Sequence, residues 1–193
     1  MGGTDKGLLD FGGQPVVQHV LLRLQPQVGG VIISANRNIE RYRAIGVPVV
    51  PDASDGEPRF DGPLAGVLAG LRICQTPWLA CVPCDAPWFP TDLVDRLLRA
   101  AGAAGRPAAL AVQSTPAGLS IEPAFCLVHR DQAEPLAAAL ARGLHKWQAW
   151  LEAIGAAQAV FDMPAAVAQL LGSDPFANLN TPHDWARART TLR

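Results

Sequence analysis

Two aspartates stand just past apolar runs, each with a proline between run and acid: Pro51-Asp52 after Val47 to Val50, and Pro83-Cys84-Asp85 after Leu79 to Val82. Ahead of them, Lys6 sits in a glycine-rich opening, Gly2-Gly3-Thr4-Asp5-Lys6-Gly7, with Gly12-Gly13 following. Carboxylates held at strand ends and an ammonium in a glycine loop suit Mg²⁺ and a polyphosphate, because Mg²⁺ is usually bound by one or two carboxylates together with phosphate oxygens. A lysine supplies a point charge for the same phosphates. Rival chemistries are poorly supplied. His19, His129, His145 and His183 are scattered, and the serines lack a nucleophile elbow. Cys81 and Cys84 form a C-x-x-C, but no second such pair and no nearby histidine pair completes a zinc site.

The elements that must position these residues alternate. Val31-Ile32-Ile33, Val47 to Val50 and Leu79 to Val82 are continuous apolar runs, the pattern of strands covered on both faces. Between them, Val16, Val17, Val20, Leu21 and Leu24 repeat at helical spacing behind Pro15 at a first helical position, and Leu64, Leu68 and Leu71 do so behind Pro63. Asp92 to Ala101 reads as a further helix. In the second half, Ala108 to Gln113, Ala124 to Val128 and Gln158 to Phe161 read as strands, with helices at about Gln132 to Ala141 and His145 to Ile154. Thr181-Pro182 opens a terminal helix as cap and first residue. Strands alternating with helices predict an α/β fold: a Rossmann-like three-layer arrangement with a mainly parallel sheet and right-handed crossovers. In such sheets ligands collect outside the carboxyl ends of the strands, where Asp52 and Asp85 fall.

Composition narrows the partners. The chain has 193 residues, 16 Lys+Arg against 17 Asp+Glu, and no basic stripe that would follow a nucleic-acid backbone. No run approaches the roughly 20 apolar residues of a membrane span. A single domain over residues 1–193, cytoplasmic, with four reduced cysteines, is the expectation.

Several segments, in order, resemble one family. Met1-Gly2-Gly3-Thr4-Asp5-Lys6-Gly7-Leu8-Leu9, Ser34-Ala35-Asn36-Arg37, Gly62-Pro63-Leu64-Ala65-Gly66, Pro83-Cys84-Asp85-Ala86-Pro87 and Asn178-Leu179-Asn180-Thr181-Pro182 are similar to the motifs of the molybdenum cofactor guanylyltransferases, the MobA-like branch of the nucleotidyltransferases. The resemblance implies transfer of GMP from GTP to the phosphate of molybdopterin with release of pyrophosphate. It implies Lys6 at the triphosphate, Asp52 at the guanine nucleotide with Ser34 and Asn36, and Asp85 on Mg²⁺. Asn178, Asn180 and Lys146 fall where the family contacts the pterin. Lys6 and Asp85 would be the catalytic pair. Other cofactor-synthesis proteins and molybdoenzyme chaperones are the further partners implied.

Two other readings stay open at this level. Base choice is not legible, so cytidylyl transfer to molybdopterin or another phosphate acceptor is an alternative. Family members also carry a strand and a Leu-Ala-Gly-Gly segment ahead of the position of Met1. The expectation is an N-terminally incomplete domain whose reading frame continues upstream; the alternative is a cofactor-binding protein without transferase activity.

Overall fold

The computed structural model describes residues 5–52, 62–162 and 174–179. A 3-10 turn, Lys6–Leu8, leads into two short strands, β1 (Asp10–Phe11) and β2 (Gln14–Pro15), which pair antiparallel. α1 follows at Val16–Leu24. Pro15 precedes it as the N-cap, one residue ahead of the predicted position, because its ψ of 142° is extended. β3 (Ile33–Ser34) and β4 (Val49–Val50) pair in parallel, Ile33 opposite Val49 and Ser34 opposite Val50. Between them lies α2 (Ile39–Arg43), a five-residue helix that apolar periodicity does not announce.

α3 (Pro63–Ile73) starts at Pro63 as the sequence predicts and feeds β5 (Trp78–Cys81). Then come α4 (Leu93–Ala104), β6 (Ala108–Thr115), β7 (Gly118–His129), α5 (Ala133–Ala141), α6 (Trp147–Ala153) and β8 (Ala157–Asp162). The larger sheet has the order β5-β7-β6-β8. β6 and β8 run parallel, whereas β7 is antiparallel to both its neighbours, so this sheet is mixed. The cause is local: Pro116 and Ala117 turn the chain directly back, and the Thr115 hydroxyl donates to the Gly118 carbonyl at 2.7 Å. A tight turn of this kind can join only antiparallel strands.

The α/β class stands, and so does the layering. On one face of the larger sheet, Val16, Val20 and Leu24 of α1 and Leu93, Leu97 and Ala101 of α4 pack on Ala109, Ala111, Phe125 and Leu127. On the other, Leu64 and Leu68 of α3, Leu136 of α5 and Leu151 of α6 pack on Ala108, Leu110, Val112 and Val128. Neighbouring β6 residues thus bury on opposite faces, which is why that strand reads as a continuous apolar run. Trp147 and Trp150 join the second of these cores, as their spacing suggests. The helix opened by Thr181 lies outside the described residues.

The register of β7 slips once. Leu110 faces Cys126 but Ala111 faces Glu122, so Pro123, Ala124 and Phe125 bulge from the ladder. Proline has no N–H to give a ladder, and a bulge is where a strand tolerates it.

Candidate active site

The turn at Lys6 and the segment after β5 meet. Lys6 Nζ lies 3.8 Å from Asp85 Oδ2, and the Asp85 side chain is only 14% exposed. Burial pushes the Asp85 carboxyl above the usual carboxylate range, while the Lys6 ammonium and a backbone donor pull it back. Gly7 makes the approach possible: a Cβ there would sit 2.7 Å from Tyr42 Oη and 3.1 Å from Cys84 Sγ. Cys84 is exposed, yet desolvation by its surroundings, with Asp85 and Asp5 adding to it, raises its thiol to about 11, so it remains neutral. Cys81 stands opposite Cys126 across the β5–β7 ladder, and its hydrogen bond to Cys126 together with burial holds it well above the ordinary thiol range. The two thiols of the C-x-x-C therefore serve different neighbours.

Ser34, Asn36 and Asp52 also come together. Parallel pairing sets the ends of β3 and β4 side by side. The Ser34 hydroxyl donates to Asp52 Oδ1 at 2.8 Å, and Asn36 Nδ2 donates to Oδ2 at 2.6 Å. Asn36 Oδ1 accepts the Asp52 backbone N–H at 2.9 Å. Both oxygens of Asp52 thus have protein donors, and the two strand-end aspartates have different surroundings. α3 covers this cluster at Gly66, where a Cβ would lie 3.2 Å from Asp52 Oδ1.

A third segment closes on Asp85. Leu179 N–H donates to the Asp85 carbonyl at 2.9 Å. Phe176 anchors the segment, with ring centroids 4.9 Å from Phe125 and 5.4 Å from Phe161. Exposed Asn178 is held beside this bond, while Asn180 lies outside the described residues. Lys146 is exposed at the N-cap of α6 and forms no ion pair with Asp85 among the described residues. Its neighbour His145 presents a carbonyl 4.0 Å from where a Gly62 Cβ would stand, so Lys146 borders the start of α3.

Glu122 is a candidate that sequence reasoning did not single out. Cys81 pairs with Cys126 on antiparallel strands, and Asp85 and Glu122 lie in the same direction from that pair. Burial raises the Glu122 carboxyl, the Ser120 hydroxyl at 2.8 Å opposes this, and Asp174 adds to it. The available signal was an acid directly before a proline inside an apolar strand.

Among the described residues no three His, Cys, Asp or Glu side chains are grouped to hold a metal ion. A lone enclosed carboxylate is still a sufficient protein ligand for a cation that takes its other oxygens from phosphate and water.

Residues 1–158 match the MobA-like NTP transferase domain. The chain belongs to this family. MobA-like relatives are close in sequence: it is 46% identical over 186 residues to the molybdenum cofactor guanylyltransferase of Ralstonia nicotianae, spanning 94% of this chain and 85% of that one. To the protein of the same name from Cupriavidus taiwanensis it is 45% identical over 182 residues, again 94% and 85% of the two chains. The fold matches the crystal structure of molybdopterin-guanine dinucleotide biosynthesis protein A from Archaeoglobus fulgidus with a TM-score of 0.68, 20% identity, and 98% and 91% coverage. Membership makes the MobA-like chain a nucleotidyltransferase. None of its described helices is long and apolar enough to cross a membrane.

Proposed function

We propose that this chain, acting as one domain, transfers GMP from GTP to the phosphate of molybdopterin. An oxygen of the acceptor phosphate forms a bond to the α-phosphorus as the bridge to the β-phosphate breaks, and pyrophosphate leaves with the bonding pair. The observation that carries this reading is the approach of Lys6 to Asp85 at a strand end, in a chain about 45% identical to guanylyltransferases over nearly its whole length.

The residues divide the work by charge. Lys6 takes triphosphate oxygens, where an ammonium offsets charge both in the ground state and as it shifts toward pyrophosphate. Asp85 takes a divalent cation, and Mg²⁺ fits: the carboxylate is enclosed, its ionised form is disfavoured by burial, and a cation relieves that penalty. When bound, Mg²⁺ neutralises phosphate charge and orients the α-phosphorus. Ser34, Asn36 and Asp52 form the nucleoside side, with the cluster fixed before substrate arrives. Asn178, Asn180 and Lys146 form the acceptor side, where amides read a heterocycle edge and an ammonium meets phosphate.

Pyrophosphate release, measured with purified chain, molybdopterin and GTP, CTP or ATP in parallel, tests the reading. Release with GTP, absent without acceptor, is expected. Turnover with CTP alone would replace guanylyl by cytidylyl transfer, and binding of the pterin without release in any arm would leave a cofactor-binding protein.

A further inference from the structure

The carboxylate of Asp5 sits directly before Lys6, and its side chain is only 12% exposed. Tyr42 Oη donates to Asp5 Oδ1 at 2.6 Å. Asn38 Nδ2 donates to Oδ2 at 3.0 Å, and Arg37 Nε stands 3.8 Å from the same oxygen. Asn38 is the N-cap of α2 and Tyr42 lies one turn further along that helix, in the stretch joining β3 to β4. Asp5 is also the residue on which the Lys6–Leu8 turn starts, and its carbonyl accepts the Leu8 N–H at 3.2 Å. Fixing the Asp5 side chain therefore fixes the backbone from which Lys6 projects.

Two features mark this as a built clamp. Among the described residues, Asn38 is the single non-glycine with positive φ, at 52°, a conformation that costs most side chains free energy and that asparagine tolerates better than others. It stands at the N-cap of α2, yet its side chain gives the helix no cap bond and reaches Asp5 instead. The Tyr42 ring is buried at 3% exposure, and burial and the bond to Asp5 raise its phenol far above the ordinary range, so the hydroxyl remains a donor. In the same loop Asn36 binds Asp52. Asn36 and Asn38 thus tie one loop to both halves of the site.

We propose that Asn38 and Tyr42 are positioning residues for the nucleotide: acting through Asp5, they hold Lys6 where it meets the triphosphate. This rests on the function proposed above. On this reading neither residue touches the nucleotide. Their effect on binding is carried by the Lys6 ammonium and not by the Asn36–Asp52 side of the loop, and that route gives the test.

GTP binding in the presence of Mg²⁺ and without acceptor is measured by calorimetry on the full chain and on Tyr42→Phe, Asn38→Gly, Lys6→Ala and each double variant. Glycine accepts the left-handed backbone, so Asn38→Gly removes the amide without adding strain. Each single variant at the clamp is expected to weaken GTP roughly tenfold, the effect of freeing a group tied by hydrogen bonds to a charge. In the Lys6→Ala background the same changes are expected to do nothing further. Undiminished losses in that background, or GTP affinity unchanged in both clamp variants, would overturn the proposal. Should the unaltered chain bind CTP and not GTP, the guanylyl reading fails while the same cycle run with CTP still judges the clamp. A chain that binds neither nucleotide overturns both.

Discussion

Gly66 of α3 stands so close to Ser34 that a Cβ on it would lie 2.6 Å from the hydroxyl oxygen. The helix is therefore seated on the Ser34–Asp52 hydrogen bond itself. Gly66→Ala should force that bond apart or lift α3, at a cost of about 1 to 3 kcal/mol in stability, as for other overpacked sites. Thermal denaturation reads the loss, and a rise in KM for GTP accompanies it if the cluster serves the nucleoside. An alanine variant with unchanged Tm and KM would remove the cluster from the site.

Asp52→Asn can keep both contacts in one orientation only: the amide oxygen takes the Asn36 N–H, and the amide nitrogen then faces Ser34, whose hydroxyl turns round to accept. The exposed bond to Ser34 is reversed in direction and not lost. We expect less than about 1 kcal/mol of lost stability. Asn36→Ala, which removes both the donor to Asp52 Oδ2 and the acceptor of the Asp52 N–H, should cost more in the same denaturation series.

At Asp85 function and stability pull in opposite directions. Asp85→Asn is expected to cost on the order of 3 kcal/mol in transition-state stabilisation, roughly a hundredfold in turnover, as for loss of one electrostatic group in an active site. Near-normal pyrophosphate release at saturating GTP and Mg²⁺ would remove Asp85 from the chemistry. Chelating the cation with EDTA should produce a loss at least as large, reversed by added Mg²⁺.

The pH dependence of stability follows from the same group. The carboxyl is raised by burial above its usual 3.8, so the folded chain holds this proton more tightly than the unfolded chain does. Its favourable contribution is complete below the unfolded value and is lost as pH rises through the folded one. Asp85→Asn, neutral throughout, escapes that loss. Its Tm should equal or exceed that of the unaltered chain near pH 8, with the gap closing as pH falls toward about 4. A variant less stable at pH 8 would mean that Lys6 more than compensates the buried charge.

Asn178→Ala should separate the two substrates. The residue is exposed and its neighbour Leu179 carries the bond to Asp85, so the change leaves the segment in place. We expect a higher KM for the molybdopterin acceptor with KM for GTP unchanged. A shift confined to GTP would move Asn178 to the nucleotide side.

The sequence made the acids, the lysine and the strand-to-helix order legible because each is a local signal: a run, a proline, a charge. Ser34, Asn36 and Asp52 were grouped only through the family resemblance; in the fold they stand together because the ends of a parallel strand pair meet. What stayed hidden depends on distant partners. Asp5 looks like ordinary loop decoration until Tyr42 folds over it. α2 is too short to show periodicity and starts from a left-handed residue, which no apolar pattern announces. The hairpin of β6 and β7 is encoded by a turn at Pro116-Ala117, but the run from Gly118 into a bulge at Pro123 masks the length of the second strand. Glu122 gains its character from burial, with distant Asp174 adding to it, and the proline that follows it is the one local hint.

In the proposed arrangement the main-chain bond from Leu179 to Asp85 would give the acceptor side and the cation side a shared hinge point. A load on one end, whether an acceptor drawn to Asn178 or a cation seated on Asp85, would then be transmitted to the other through one amide and one carbonyl. Any preference this produces must be mutual: whatever factor one substrate confers on the other's affinity, it receives in return. Order-of-addition titrations would then trace a closed square, with the same free energy along both routes.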